Sequence, residues 1–296
     1  MSGADGSRFV ARKVKSTSEV SSEPTTTRAP EWCTPPPELS LPAHAVHVWR
    51  ADLNSAYLLR LEQSLSADER KRASRFRFAR DRDRFVGARG LLREILALYL
   101  SAPPRRLRFG YSARGKPYLA GEEHSALRFN VSHSSDTMLI AIAHMREVGV
   151  DVESVHTNDG SAMEEVHEMV LSEPEKQALA RFSGEDKRTT FLRFWTLKEA
   201  YIKADGRGVS LPLDRLDVSA PEGRVAALDE ATGEWRTCPR WELRTLAAVP
   251  GYVAALAAEG QGWRLALWQW SPESRVTIRH EGGRQGARLS DDGRAR

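Results

Sequence analysis

Apolar and polar residues alternate in many short stretches of the chain, and a period of two predicts strands. A first strand is predicted at residues 46–49, and the connection that follows it, 52–65, includes a short helix. The other predicted strands lie at residues 107–109, 117–119, 127–131, 138–143, 147–154, 213–219, 241–246, 252–257 and 265–270. The central part of the chain is therefore predicted to be rich in strands.

Helices are predicted where apolar residues return every three or four positions. Ser66-Ala-Asp-Glu69 is a capping box, so a helix should begin there. A charged run to Arg84 leads into an amphipathic helix over residues 85–99, which ends before Pro103 and Pro104. Further helical patterns occupy residues 163–171, 174–182 and 187–204.

Each half of this pattern mixes helices with strands joined by hairpins, which predicts an α+β fold of two similar halves. We expect an N-terminal half over residues 43–146 and a C-terminal half over residues 147–271. Residues 1–42 are rich in Ser, Thr and Pro, and residues 272–296 are similarly polar. This composition predicts disordered tails at both ends.

The composition is that of an ordinary globular protein. The 296 residues are 41% hydrophobic and 28% charged, and the mean hydropathy is −0.49. No apolar run reaches the ~20 residues that a membrane-spanning helix needs, and the N-terminus lacks the apolar core of a secretory signal. Cys33 and Cys238 are far apart, so neither a disulfide framework nor a zinc site is indicated. We therefore expect a cytoplasmic protein without membrane contact.

The positive charge of the chain is concentrated in one segment. Residues 66–93 contain ten Lys or Arg and four acids, whereas the whole chain has a net charge of +4. A solvated helix face is one interpretation of this segment. The other is a surface that attracts phosphates, nucleic acid or an acidic protein.

Two carboxylates stand two positions apart in the predicted strand 147–154. Alternation places Asp151 and Glu153 on one face, about 7 Å apart along the strand. The pair fits either the polar face of a half-exposed strand or two ligands of a hard divalent ion such as Mg²⁺. A third acid nearby would distinguish the two interpretations.

The helix at 187–204 offers that third acid. Glu199 shares a helix face with Phe191, Trp195 and Ile202, so it belongs to the buried stripe. Lys203 follows one turn later. The two could form only a helical salt bridge, or Glu199 could complete a metal site while Lys203 faces a phosphate.

Two further segments have specialised compositions. Gly115-Lys-Pro-Tyr118 is a turn that presents a cation, and Phe129-Asn-Val-Ser-His-Ser-Ser135 places Ser132 and His133 at the end of a strand. Neighbouring residues of a strand point to opposite sides, so Ser132 and His133 are poorly arranged as nucleophile and base. A phosphate contact suits His133 better.

Four motifs, taken in this order, resemble those of the Sfp-type 4′-phosphopantetheinyl transferases. They are G-K-P-Y at 115–118, F-N-V-S-H-S at 129–134, G-V-D-V-E at 149–153 and F-W-T-L-K-E-A-Y-I-K at 194–203. The basic segment 66–93 is similar to that family's N-terminal helices. The resemblance covers about residues 46–258 and leaves out both tails.

The resemblance implies a monomer of two halves related by a pseudo-twofold axis, with coenzyme A and Mg²⁺ in the cleft between them. Such an enzyme transfers the 4′-phosphopantetheine group of coenzyme A to a serine of an apo acyl or peptidyl carrier protein, and it releases adenosine 3′,5′-bisphosphate. Carrier proteins are usually acidic, which suits a basic enzyme. The carrier could serve fatty-acid, polyketide or nonribosomal-peptide synthesis.

The same resemblance implies roles for individual residues. Asp151, Glu153 and Glu199 match the metal-binding acids, and Lys203 matches the lysine near the transferred phosphate. Either Glu199 or a metal-bound water would accept the proton of the carrier serine. The residues that match the coenzyme A site are Lys116, Pro117, Ser132 and His133. Arg72 stands where relatives have a basic residue for the 3′-phosphate, and Arg84 and Arg89 are the next candidates.

Three other functions fit parts of the sequence. A nucleic-acid-binding protein could use the basic helices, although no binding motif is recognisable there. A metal-dependent phosphodiesterase could use the same three acids and would need no carrier protein. An inactive relative could serve as a binding partner, although the presence of all three acids argues against it.

Overall fold

The computed structural model describes residues 31–53, 55–121, 126–156, 166–208, 211–220, 223–246, 250–274 and 276–279. Its strands are β1 (Glu38–Ser40), β2 (Ala45–Asp52), β3 (Phe109–Tyr111), β4 (Pro117–Leu119), β5 (Leu127–Ser134), β6 (Thr137–His144), β7 (Val148–Ser154), β8 (Leu216–Asp217), β9 (Ala226–Leu228), β10 (Trp235–Thr237), β11 (Trp241–Thr245), β12 (Tyr252–Glu259), β13 (Arg264–Gln269) and β14 (Thr277–Arg279). The labelled helices are α1 (Leu58–Gln63), α2 (Ala67–Ala73), α3 (Ala79–Leu100), α4 (Glu173–Leu179) and α5 (Gly184–Asp205). Within these described ranges, no helix is long and apolar enough to span a bilayer.

Four layers pack in the order helix, sheet, sheet, helix. The first sheet has the strand order β13-β2-β6-β5, and the second has the order β11-β12-β7. Aliphatic side chains from both sheets, such as Leu139 and Val150, form one core between them. Helix α3 covers the outer face of the first sheet, and α5 covers the outer face of the second. The α+β class with two similar halves is confirmed.

Alternation along the central strands explains these layers. On β6, Leu139 and Ala141 belong to the core between the sheets, whereas Ile140 and Ile142 belong to the core under α3. Successive side chains of a strand point to opposite faces, so one apolar strand supplies two cores. The same rule on β7 keeps Val150 and Val152 in the intersheet core and turns Gly149, Asp151 and Glu153 toward α5.

Most of the predicted elements are present, with shifted ends. The capping box at Ser66 is confirmed, with its serine accepting from the Glu69 N–H. Helix α3 begins at Ala79, six residues before the predicted start, because its first two turns are charged and mostly exposed and so lack the apolar period. Residues 213–215 form a 3₁₀ turn, and the predicted strand shrinks to Leu216–Asp217. Part of the predicted helix 163–171 lies outside the described residues; residues 166–170 are helical.

Ordered structure extends further toward both ends than we predicted. Strands β1 and β14, which lie within the predicted tails, pair in parallel. The backbone at Cys33, also in a predicted tail, forms a parallel β-bridge with Trp268 of β13. The boundary of the second half at residue 271 also differs from the observed sheet, because β13 pairs in parallel with β2 of the first half. Cys33 and Cys238 are both free.

Gly149 of β7 lies where this strand packs most closely against α5. A Cβ there would be 2.0 Å from the Ala200 carbonyl oxygen and 2.3 Å from the Ala204 nitrogen. We expect Gly149→Ala to lower the free energy of unfolding by roughly 1–3 kcal/mol, measured by urea denaturation. Gly87→Ala on α3 is the matched control, because its Cβ would make only ordinary contacts at 3.6 Å. Equal stability of the two variants would contradict this account of the β7–α5 contact.

His47 of β2 is a buried titratable group in the first half. Its Nδ1 lies 2.8 Å from the Tyr99 hydroxyl, which also accepts from Trp49 Nε1 at 2.7 Å. Burial lowers the pKa of His47 to about 4.

The unfolded chain therefore binds this proton near pH 6.5 and the folded chain only near pH 4, so stability falls as the pH drops through that window. We expect a loss of about 2 kcal/mol between pH 7.5 and pH 5 from this residue alone. The loss should be smaller by that amount in His47→Gln, measured by urea denaturation at both pH values. An identical pH dependence in both proteins would refute the assignment.

Candidate active site

β5 and β7 are edge strands of the two sheets, and they contact each other through a polar seam. The seam comprises the inward-facing polar residues of β5, which are Arg128, Asn130, Ser132 and Ser134, and their partners on or just before β7. Asn130 Oδ1 accepts from the Val150 N–H at 3.0 Å, and Ser134 Oγ accepts from the Ser154 N–H at 3.1 Å. These bonds hold the backbone of β7 in a fixed register against β5.

Asp151 is the most enclosed acid of the site, with 3% of its surface exposed. Its Oδ1 accepts from Ser132 Oγ at 2.7 Å and from Lys203 Nζ at 2.6 Å, and the same ammonium lies 3.1 Å from Ser132 Oγ. A buried carboxylate needs such partners to stay charged. Asp151 therefore joins one residue from each of β5, β7 and α5.

Glu153 lies next to Asp151 on the same face of β7. Its Oε2 accepts from Ser134 Oγ at 3.1 Å, and the Trp195 side chain also bonds to it. Burial raises the pKa of Glu153, and the neighbouring Asp151 carboxylate raises it further. A cation or a proton would relieve this repulsion.

Glu199 approaches the two acids from α5. Burial raises the pKa of Glu199; Lys203 opposes that shift, while Asp151 and Glu153 add to it. Three carboxylates and one ammonium thus act on one another electrostatically. A carboxylate with a raised pKa in a cleft suits proton transfer.

The helix that bears Glu199 is anchored by a buried ion pair that our sequence analysis missed. Lys198 and Glu175 have fully buried side chains, and Lys198 Nζ lies 2.5 Å from Glu175 Oε2. The ammonium also donates to the carbonyls of Val170 and Leu213. The Ser172-x-x-Glu175 capping box was a visible signal, but it indicated a helix start only. Because Lys198 is held in place by this pair, the backbone position of the next residue, Glu199, is fixed as well.

The acids face a cavity of about 280 Å³. Its lining consists of Val131, Ser132, His133, Asp151, Glu153, Trp195, Glu199 and Lys203. A larger cavity of about 640 Å³ shares Val131, Glu199 and Lys203 with it and extends to the turn at 115–117 and to Arg207. Both sheets and α5 contribute to this continuous cleft.

The acids fit a hard divalent cation by the chemistry of their donors. Asp151 Oδ2 is buried without a hydrogen-bond partner among the described residues, and the three carboxylates repel one another. Oxygen ligands of this kind suit Mg²⁺. In the described part of the chain, however, no three His, Cys, Asp or Glu side chains are already arranged as a metal site. The donors are gathered around one cavity, and Lys203 neutralises Asp151.

The residues expected to contact coenzyme A lie around the same cleft. Ser132 and His133 line the smaller cavity, and Lys116 and Pro117 line the larger one. The ammonium of Lys116 contacts Glu147 and two backbone carbonyls.

The predicted arginines differ in how they are engaged. Arg72 and Arg89 line a third cavity of about 220 Å³ beside the cleft. Arg89 is bound to Glu69 at 2.6 Å, and Arg84 lies 3.9 Å from Asp136. Arg72 is exposed and lies over the Phe85 ring. Part of the positive charge of segment 66–93 is thus neutralised inside the protein.

Known proteins resemble both halves of the chain. Residues 147–257 match the model of the 4′-phosphopantetheinyl transferase superfamily, and residues 48–145 match that of 4′-phosphopantetheinyl transferase, N-terminal. The 4′-phosphopantetheinyl transferase HetI from Nostoc sp. is 36% identical over 242 residues, which is 81% of this chain and 98% of the relative. A phosphopantetheinyl transferase from Thraustochytrium sp. is 30% identical over 64% of this chain and 70% of its own length.

Among solved structures, a holo-(acyl-carrier-protein) synthase from Bacillus anthracis in complex with CoA (3′,5′-ADP) overlaps 39% of this chain and 96% of its own length. Its TM-score is 0.30 and its sequence identity is 16%.

Ser132→Ala should weaken the polar seam, because it removes the hydroxyl donor from the buried Asp151 carboxylate. A hydrogen bond to a charged group contributes about 1.5–3 kcal/mol, and we expect a loss of that size in urea denaturation. Ser74→Ala is the control, since this hydroxyl is exposed and bonds only to the Lys71 carbonyl among the described residues. A loss below about 0.5 kcal/mol for Ser132→Ala would show that the contact is not stabilising.

Proposed function

Because this chain belongs to the 4′-phosphopantetheinyl transferase superfamily and is a transferase of that kind, we propose that it moves the 4′-phosphopantetheine group of coenzyme A to a serine of an apo carrier protein. The observation that supports this most strongly is the convergence of Asp151, Glu153, Glu199 and Lys203 on one cavity. That cavity adjoins a larger one with room for a nucleotide-sized group.

In the proposed reaction, the carrier serine oxygen attacks the β-phosphorus of coenzyme A. The bond from that phosphorus to the bridging oxygen breaks, and adenosine 3′,5′-bisphosphate leaves with the bond electrons. The serine proton goes to Glu199, which lines the cavity beside Lys203, or to a water in the same cavity. Lys203 is placed to stabilise negative charge on the diphosphate.

Asp151, Glu153 and Glu199 would hold the Mg²⁺. When bound, the cation neutralises diphosphate charge. The residues of the chain then have separate tasks: Ser132 orients Asp151, and Trp195 and Ser134 orient Glu153.

Coenzyme A would lie along the larger cavity. We propose that His133, Ser132 and Pro117 contact it near the acids. Arg72 lines the third cavity, where its guanidinium would bind a phosphate, and Arg84, which lies 3.9 Å from the exposed Asp136, is a second candidate. Arg89 lines that cavity too, but its charge is shared with Glu69.

The partner would be an acidic acyl or peptidyl carrier protein that meets the basic surface of residues 71–84. Among the described residues, Arg75, Arg77 and Arg80 are exposed and form no ion pair. Opposite charge would raise the association rate. We propose that the enzyme acts as a monomer in the cytoplasm.

The direct test is incubation with fluorescent coenzyme A, Mg²⁺ and a panel of apo carrier proteins. Labelling of a carrier that a chelator abolishes is the expected result. Release of nucleotide at the same rate without any carrier would indicate a phosphodiesterase instead. No labelling of any carrier by the folded protein would refute the proposal.

Asp151→Asn and Glu199→Gln should each lower the rate of transfer by at least about 100-fold, because each removes a carboxylate that would hold the cation against the diphosphate. Glu230→Gln is the control. Glu230 is an exposed acid that does not line the cavity, so this variant should leave the rate unchanged. The rates are measured under saturating coenzyme A, with urea denaturation as the test of folding. Transfer at the normal rate by folded Glu199→Gln would exclude Glu199 as the base.

A further inference from the structure

Lys116 lies on the turn that joins β3 to β4, and that turn is tightly built. Its backbone N–H donates to Ser112 Oγ at 3.1 Å, and its carbonyl accepts from the Ser112 N–H at 2.9 Å. Gly115 has a φ of +82°, a conformation that favours glycine. The base of the Lys116 side chain is therefore fixed within the first half.

The ammonium of Lys116 crosses to the second half. It lies 2.9 Å from Glu147 Oε2, 3.1 Å from the Ala204 carbonyl oxygen and 3.5 Å from the Val148 carbonyl oxygen. An ammonium has three protons, so these three acceptors use its donor capacity. A phosphate ligand would have to displace at least one of them.

The Ala204 carbonyl belongs to the last turn of α5. The final carbonyls of a helix have no partner within the helix, and a cation near them is favourable. Lys203 is next to Ala204, and Glu199 is one turn earlier. Gly149 of β7 also makes its close contact with Ala204. The contact between Lys116 and the Ala204 carbonyl therefore holds the part of α5 that carries Glu199 and Lys203.

The two walls of the larger cavity are the turn at 115–117 and the end of α5. Lys116 bonds the first wall to the second through the Ala204 carbonyl. On its other side lies a separate cavity of about 710 Å³, lined by Arg128 and Glu147. The lysine thus lines both cavities.

We infer that Lys116 is a positioning residue, which ties the end of α5 to the β3–β4 turn and so places Glu199 and Lys203, instead of being a ligand of the coenzyme A phosphates. This inference rests on the proposed function for its kinetic consequence. Its structural part concerns the free protein alone. It replaces the role that the family resemblance implies for this residue.

The two roles predict opposite behaviour of the partner, Glu147. If Lys116 bridges, Lys116→Met removes all three contacts of the ammonium, whereas Glu147→Gln keeps the contact with the Ala204 carbonyl and also weakens a separate pair with Arg128. Lys116→Met should then have the larger effect on the end of α5, and neither variant should bind coenzyme A more tightly. If Lys116 binds phosphate, Glu147→Gln would free the ammonium and strengthen coenzyme A binding, whereas Lys116→Met would weaken it.

The first measurement is amide hydrogen exchange of the protein without coenzyme A. The Gly206 N–H donates to the Ile202 carbonyl at 2.9 Å and reports on the end of α5. We expect this amide to exchange about tenfold faster in Lys116→Met, and to change less in Glu147→Gln, which keeps the contact between Lys116 and the Ala204 carbonyl. Lys176→Met, which breaks an exposed pair with Glu168, is the control and should leave the exchange at Gly206 unchanged.

The second measurement is kinetic and calorimetric. With an apo carrier that the unaltered protein modifies, kcat should fall about tenfold in Lys116→Met and less in Glu147→Gln, since a small misplacement of reacting groups is costly. The Kd of coenzyme A should stay within about twofold in both variants. Unchanged exchange at Gly206 together with a raised Kd in Lys116→Met alone would overturn the inference. Absence of transfer by the unaltered protein would refute the proposed function and leave the exchange result to decide the role of Lys116.

Discussion

Between β5 and β7 the two sheets meet through polar side chains instead of aliphatic ones, and the acids of the site depend on this contact. Asp151 is nearly fully buried, and a carboxylate can stay charged there only with partners, which Ser132 and Lys203 supply. The aliphatic core between the sheets holds the register of the strands. At the edge of this core, the serines of the polar seam hydrogen-bond to Asp151 and Glu153 and so fix the positions of these two carboxylates.

Helix α5 has a second, complementary task. One side of it packs in the core of the second half, and its Lys198 joins Glu175 in a buried ion pair whose remaining acceptor sites are also satisfied. Removing one member of such a pair would be far more costly than any surface change. Three contacts therefore hold the helix: the ion pair of Lys198, the close packing of Gly149 of β7 against it, and the bond from Lys116 to the Ala204 carbonyl. These three contacts surround Glu199 and Lys203.

Several features were predictable from residues alone. The alternation at 147–154 correctly placed three valines on one face of β7 and both acids on the other. The helical stripe put Glu199 on the same side of α5 as Trp195, but both are half-buried at the cavity instead of belonging to the buried stripe. The start of α3 and the pairing of β1 with β14 were not predictable in this way. Exposed helical turns have no apolar period, and a two-stranded contact between chain ends is too long-range for any local pattern to indicate.

Periodicity thus predicted the fold class, and the order of the motifs indicated the family. Side-chain chemistry identified Asp151, Glu153 and Glu199 as candidate site residues, because all these properties can be read from local sequence. The tertiary structure alone decided what each polar group meets. Asn130 and Ser134 proved to be parts of the seam, Lys198 an anchor, and Lys116 a bridge to a helix end 88 positions away. The physical reason is that a hydrogen bond or an ion pair depends on distances of a few ångströms, and these are set only when the two sheets and α5 pack together.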